Sequence, residues 1–145
     1  MAPFPNAPQL PPAALREIFT YPDPSRAPGD DHNPYSDVRR LEFLGQKMAE
    51  AAYLDVMMRT NAVSHLDVQT IERRIHASFA GFAEKTARAY GWSLSVRGFP
   101  ANVDRNTPEE LRRIFYTYAG AVCVPQPGGY YNLREWIKAL VEFGV

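Results

Sequence analysis

The sequence predicts an all-α, single-domain protein, and three observations carry that prediction. Apolar residues recur at spacings of three, four and seven over several long segments. Helix start and stop signals bracket those segments. No convincing strand pattern and no internal repeat interrupts them.

Composition bounds the function. A chain of 145 residues is long enough for one domain with a real core. Its 46% apolar and 22% charged residues are those of a globular protein, and no apolar run reaches the roughly 20 residues of a membrane span. Sixteen basic residues balance sixteen acidic ones. A strong stand-alone nucleic-acid binder is usually basic, so this balance argues against one while leaving room for a local basic face. Cys123 is the only cysteine, which excludes a disulfide framework and a cysteine-based zinc site and fits a reducing compartment. The first residues match neither a secretory signal nor a mitochondrial presequence. A cytoplasmic or nuclear location is therefore expected over a mitochondrial one.

The elements follow in order. Residues 1–12 hold five prolines and are expected to form a flexible segment, with the domain proper at 13–145. Pro12 suits the first position of a short helix whose Leu15, Ile18 and Phe19 share a side. Residues 21–34 read as a loop, and their Asp30-Asp31-His32 reads as solvated rather than metal-binding. A long helix is predicted from about Ser36 to Thr60, apolar over most of its circumference and so either central to the core or shared with a partner. Within it, Gly45 leaves room for another backbone. Ser64 to Asp67 approximates a capping box before a second long helix, in which Val68, Ile71, Ile75, Phe79, Phe82 and Tyr90 form a clean stripe that stops at Gly91. His76 lies at the boundary of that stripe. Residues 92–106 read as a connection. Thr107-Pro108-Glu109-Glu110 starts a fourth helix with Leu111, Ile114, Phe115, Tyr118 and Val122 inward. A last helix is predicted to restart at Asn132 and stop at Gly144.

The octet Arg39-Arg40-Leu41-Glu42-Phe43-Leu44-Gly45-Gln46 resembles the signature of the ribonuclease III family, Glu-Arg-Leu-Glu-Phe-Leu-Gly-Asp. Further along, Phe115-Tyr116-Thr117-Tyr118-Ala119-Gly120-Ala121 is similar to that family's Phe-Glu-Ala-Tyr-Val-Gly-Ala. Gly128-Gly129 and Trp136 follow as the family's last turn and helix do. The resemblance covers nearly the whole chain and points to the fungal-type members. It implies the helical endonuclease-domain fold, a symmetric homodimer and, in active members, Mg²⁺-dependent cleavage of double-stranded RNA. No double-stranded-RNA-binding domain is expected.

The same resemblance locates a degenerate site. Arg39, Glu42, Gln46, Arg113 and Tyr116 stand where the family places Glu, Glu, Asp, Asp and Glu. Mg²⁺ wants hard oxygen ligands to activate water and steady the phosphate. Five carboxylates would carry about −5, whereas here Glu42 brings −1 and the two arginines +2. No cofactor is therefore expected; Mg²⁺ enters only under an active alternative that draws on Glu42 with Asp67, Glu109 or Glu110. Glu109 and Glu110 otherwise read as cap and helix-dipole residues. Arg39 and Glu42 read as an i, i+3 ion pair, with Arg113 able to reach Glu42 across helices. The sharper reading makes Arg39 and Arg113 phosphate contacts, with Tyr116 as a stacking surface.

Dimerisation rests on other residues. The resemblance implies that Phe43 enters a socket on the partner, with Leu44, Gly45 and Met48 around it. The functional expectation is a catalytically inactive ribonuclease III-like homodimer that binds or scaffolds double-stranded RNA or a protein, including an active family member. An active double-stranded-RNA endonuclease and a ribosome-associated structural protein are the alternatives.

Overall fold

The computed structural model describes residues 2–23, 25, 33–60, 62–125 and 127–145. Five α-helices follow one another: α1 (Pro12–Ile18), α2 (Val38–Met58), α3 (Val68–Ala89), α4 (Pro108–Cys123) and α5 (Gly129–Phe143), with a 3₁₀ turn at Trp92–Ser95. The Asp30-Asp31-His32 loop lies outside the described residues. Among those residues, the only strand-like pairing is an isolated bridge, in which Tyr21 N donates to Arg97 O and Arg97 N donates to Phe19 O.

The helices start where their caps dictate. Asp37 accepts a bond from Arg40 N at the start of α2, and Thr107 accepts one from Glu110 N at the start of α4. At α3 the cap is Asp67, whose carboxylate takes both the N–H and the hydroxyl of Thr70. The expected capping box on Ser64 is therefore displaced by three residues, because Asp67 alone satisfies the first-turn donor. The last helix begins at Gly129 rather than Asn132; Gly128 turns in at φ 103° and lets the chain enter it earlier.

The helix enclosed over most of its length is α4, not α2. Every residue from Ile114 to Cys123 is buried, which a helix surrounded on all sides requires. α2 packs chiefly on α4, with α3 and α5 on α4's remaining sides. The α2–α4 crossing is set by two glycines. A Cβ on Gly45 would lie 1.7 Å from the Tyr116 carbonyl oxygen, and one on Gly120 would lie 2.0 Å from that of Leu41. The sequence reading of Gly45 as a point of close backbone approach holds, and Gly120 is its counterpart.

Aromatic rings fill the space on either side of the crossing. Tyr53, Phe79, Phe82, Phe115 and Tyr116 form one cluster between α2, α3 and α4. Tyr90, Trp92, Tyr118 and Trp136 form a second. Two residues of the predicted stripes turn outward: Val68 at the first position of α3 and Leu15 on α1, where Ala14 takes the inward place beside Ile18.

The N-terminal proline-rich stretch is not loose. Phe4, Ala7 and Leu10 pack on the core, and Phe4 meets Tyr90 and Phe143 edge-on. Tyr90 Oη donates to Pro5 O and Tyr118 Oη donates to Pro8 O, each at 2.6 Å. Proline loses little conformational freedom on docking, and its carbonyl needs only a donor. Here two core tyrosines supply one each.

Candidate functional site

The α2–α4 crossing sets the octet against the middle of α4 and brings Glu42 within the electrostatic reach of Arg113 and Glu110. Glu42 lies half-buried there, and the charges acting on its carboxyl are Arg113, Glu110 and Arg39. Its pKa is raised above the ordinary carboxylate value. Burial is the main cause and Glu110 adds to it, while Arg113 and Arg39 pull the other way. Burial outweighs both cations.

Arg113 is committed elsewhere. Its Nε and Nη2 both donate to Glu110 Oε2, at 3.0 and 2.9 Å, and the two side chains are only 13% and 17% exposed. The guanidinium also sits 5.9 Å from the Tyr21 ring centre. The expected Arg113–Glu42 pairing across helices is thus replaced by an i, i+3 pairing within α4. Helical spacing alone puts those two ends within reach, whereas Glu42 would have to be met across the crossing. The expected Arg39–Glu42 ion pair is not formed either. Among the described residues, Arg39 stays exposed, and neither it nor Glu42 nor Gln46 makes a side-chain hydrogen bond or ion pair.

The remaining predicted site residues disperse. Tyr116 is buried with its ring stacked on Phe79 at 5.8 Å, so it offers no surface for stacking a base. Burial raises its hydroxyl pKa, with nearby Arg112 opposing. Asp67 is spent on Thr70 at the α3 cap, and those hydrogen bonds lower its pKa. Glu109 approaches Arg112, whose main partner is Glu84 on α3. Glu110, expected to serve the helix dipole, instead holds Arg113. The i, i+3 spacing was the available signal.

The donor set does not fit a hard divalent cation. Glu42 offers one carboxylate, and Glu110 has an oxygen already bonded to Arg113. Among the described residues, no three Asp, Glu, His or Cys side chains gather closely enough to hold a metal.

The predicted pairing residues divide in two. Phe43 stands 65% exposed, with Lys47 Nζ 5.9 Å from its ring centre. Leu44 and Met48 are partly buried against the chain's own core. Gly45 faces α4 inside the chain, so it is unavailable to a partner. Beyond Phe43, Leu54 and Met58 are also exposed on α2. Leu54 also lines a groove against α3, together with Lys47, Glu50, Ala51, Glu72, Ile75 and His76. His76 is largely exposed, its Nδ1 3.8 Å from Glu50.

Comparison of the chain with known protein families, with curated proteins and with solved structures finds no match.

Proposed function

We propose that the chain is a ribonuclease III-like helical module without metal-dependent cleavage, acting as a homodimeric binding or scaffolding protein. The observation that carries this reading is the surroundings of Glu42. At the place where the resembled family gathers carboxylates, this chain sets one half-buried acid beside an arginine clamped to Glu110. Burial raises the Glu42 pKa, and with Arg113 tied to Glu110 and Arg39 nearby the cluster carries no net negative charge to draw a hard divalent cation.

Pairing of two copies is supported by α2. Phe43, Leu54 and Met58 are large, apolar and uncovered, and a second chain laid antiparallel would cover all three while giving Phe43 the groove beside Leu54. The partner held by the dimer is structured RNA or a protein. The runner-up reading, an active double-stranded-RNA endonuclease, draws on the proximity of Glu110 to Glu42 as a second carboxylate.

Incubation of the purified chain with long double-stranded RNA and Mg²⁺ or Mn²⁺ separates the two readings. No cleavage is expected. Metal-dependent cleavage that disappears in Glu42→Ala overturns the inactive reading. Sedimentation of wild type and Phe43→Asp tests the dimer, with a shift from two copies to one expected.

A further inference from the structure

We infer that the outer face of α3 is a binding surface for the phosphodiester backbone of a nucleic-acid duplex. The inner face of this helix is fixed by Ile75, Phe79, Phe82, Ala83, Thr86 and Ala87, all buried. At about 100° per residue, Arg73, Arg74, Lys85 and Arg88 then fall within one arc of roughly 120° on the opposite side. All four are exposed. Among the described residues, none of their side chains makes an ion pair or hydrogen bond, in contrast to Arg59, Arg112, Arg113, Arg134 and Lys138, each held by an acid. The one acid within the arc, Glu84, is occupied by Arg112. A chain of zero net charge therefore concentrates four unneutralised cations on one side of one helix.

The surface between the cations suits a polyanion. Ala77 and Gly81 lie between the two pairs, and a Cβ placed on Gly81 would meet nothing within 4 Å. A phosphate backbone can approach such a flat floor without displacing side chains. The pairs at 73/74 and 85/88 lie about 18 Å apart at 1.5 Å per residue. A duplex presents one charge per 1.7 Å, so this rigid span faces on the order of ten phosphates. Three of the four cations are arginines, whose planar forks bind phosphate oxygens in pairs. A merely solvated helix face commonly interleaves acids three or four residues from its bases, which this arc lacks apart from Glu84. A membrane-docking helix would add large apolar residues beside the cations, and this arc has none. The inference stands apart from the ribonuclease III resemblance, since it uses neither the octet nor the Glu42 site.

Fluorescence anisotropy with labelled RNA and DNA duplexes of about 20 base pairs tests it on the full chain. Binding is expected to weaken about a hundredfold between 50 and 200 mM salt on DNA if four phosphates are contacted. The variant Arg73→Gln/Arg74→Gln/Lys85→Gln/Arg88→Gln is expected to bind at least about tenfold more weakly, with a shallower salt dependence. A charge-matched control, Arg16→Gln/Arg59→Gln/Arg97→Gln/Lys138→Gln, should stay within about threefold of wild type. Gly81→Glu adds a carboxylate to the open floor at a helix-tolerant position and should weaken binding in a folded protein, which covers a misfolded quadruple variant. Failure of the wild type to bind either duplex overturns the proposal. So do equal losses in both quadruple variants, undiminished binding in Gly81→Glu, or binding to phosphatidylserine vesicles without binding to duplex.

Discussion

Gly45 on α2 and Gly120 on α4 face each other with no room for a side chain on either, and each would drive a Cβ into a carbonyl of the other helix. The distances, 1.7 Å to Tyr116 O and 2.0 Å to Leu41 O, are far inside any tolerated contact. Because backbone rather than a flexible side chain stands in the way, the helices themselves must separate to admit a methyl group. The crossing in turn decides which residues of the octet meet α4.

Gly45→Ala or Gly120→Ala is therefore expected to destabilise the fold by about 3–5 kcal/mol, read as a lower denaturant midpoint. Gly81→Ala is the matched control on an open helix face. It should stabilise by about 0.5–1 kcal/mol, since alanine restricts the unfolded chain more than glycine does. Equal effects at the three sites would show a crossing looser than these distances require.

Glu42 supplies a pH signature. Its carboxyl pKa is raised in the fold, so its neutral form is favoured there. That contribution is fully present below the ordinary carboxylate pKa and is lost as pH rises through the raised value. Glu42→Gln should match wild type in acid and exceed it at neutral pH, by a melting temperature difference on the order of a degree or two. Thermal melts across pH check this; a variant less stable than wild type at neutral pH would show Glu42 engaged with a cation after all.

Glu110 and Arg113 set that pKa from opposite directions. Replacing Glu110 with Gln removes a like charge and frees the guanidinium, so the Glu42 pKa should fall. Replacing Arg113 with Gln removes the largest charge opposing the shift, so it should rise further. Carboxyl carbon shifts followed by NMR titration distinguish the two. Loss of the paired bonds in Glu110→Gln should also lower stability by about 1–2 kcal/mol.

The docked N-terminus makes a separate prediction. Tyr118→Phe and Tyr90→Phe each leave a proline carbonyl without its donor and should cost about 1 kcal/mol. Deletion of residues 2–10 should cost more, because it also uncovers Tyr90 and Phe143 where Phe4 packs. Burial pushes the Tyr118 hydroxyl up to about 12. Its contribution is present below the ordinary tyrosine value and fades only as pH climbs towards that figure. Spectrophotometric titration should show Tyr118 ionising last among the tyrosines or upon unfolding.

Much of the fold was legible because it depends on near neighbours. The α4 start at Thr107 and Pro108, the stops at Gly91 and Gly144, and the inward stripe of Ile75, Phe79 and Phe82 all follow from spacing and local hydrogen bonding. The candidate site was less legible. The partners of its residues depend on contacts between helices, which spacing does not encode. Arg113 chose Glu110 over Glu42, and Tyr116 turned its ring onto Phe79 rather than outward.

By itself the sequence determined an all-helical chain, most helix boundaries and a glycine for close approach. Those features rest on interactions three or four residues apart, whose geometry the helix repeats everywhere. Only the tertiary structure decided that α4 and not α2 is enclosed, that the proline-rich start is docked, and that Glu42 is driven towards its neutral form. Each of these depends on how closely two helices cross. That distance was set by Gly45 meeting Gly120, 75 positions away in the chain.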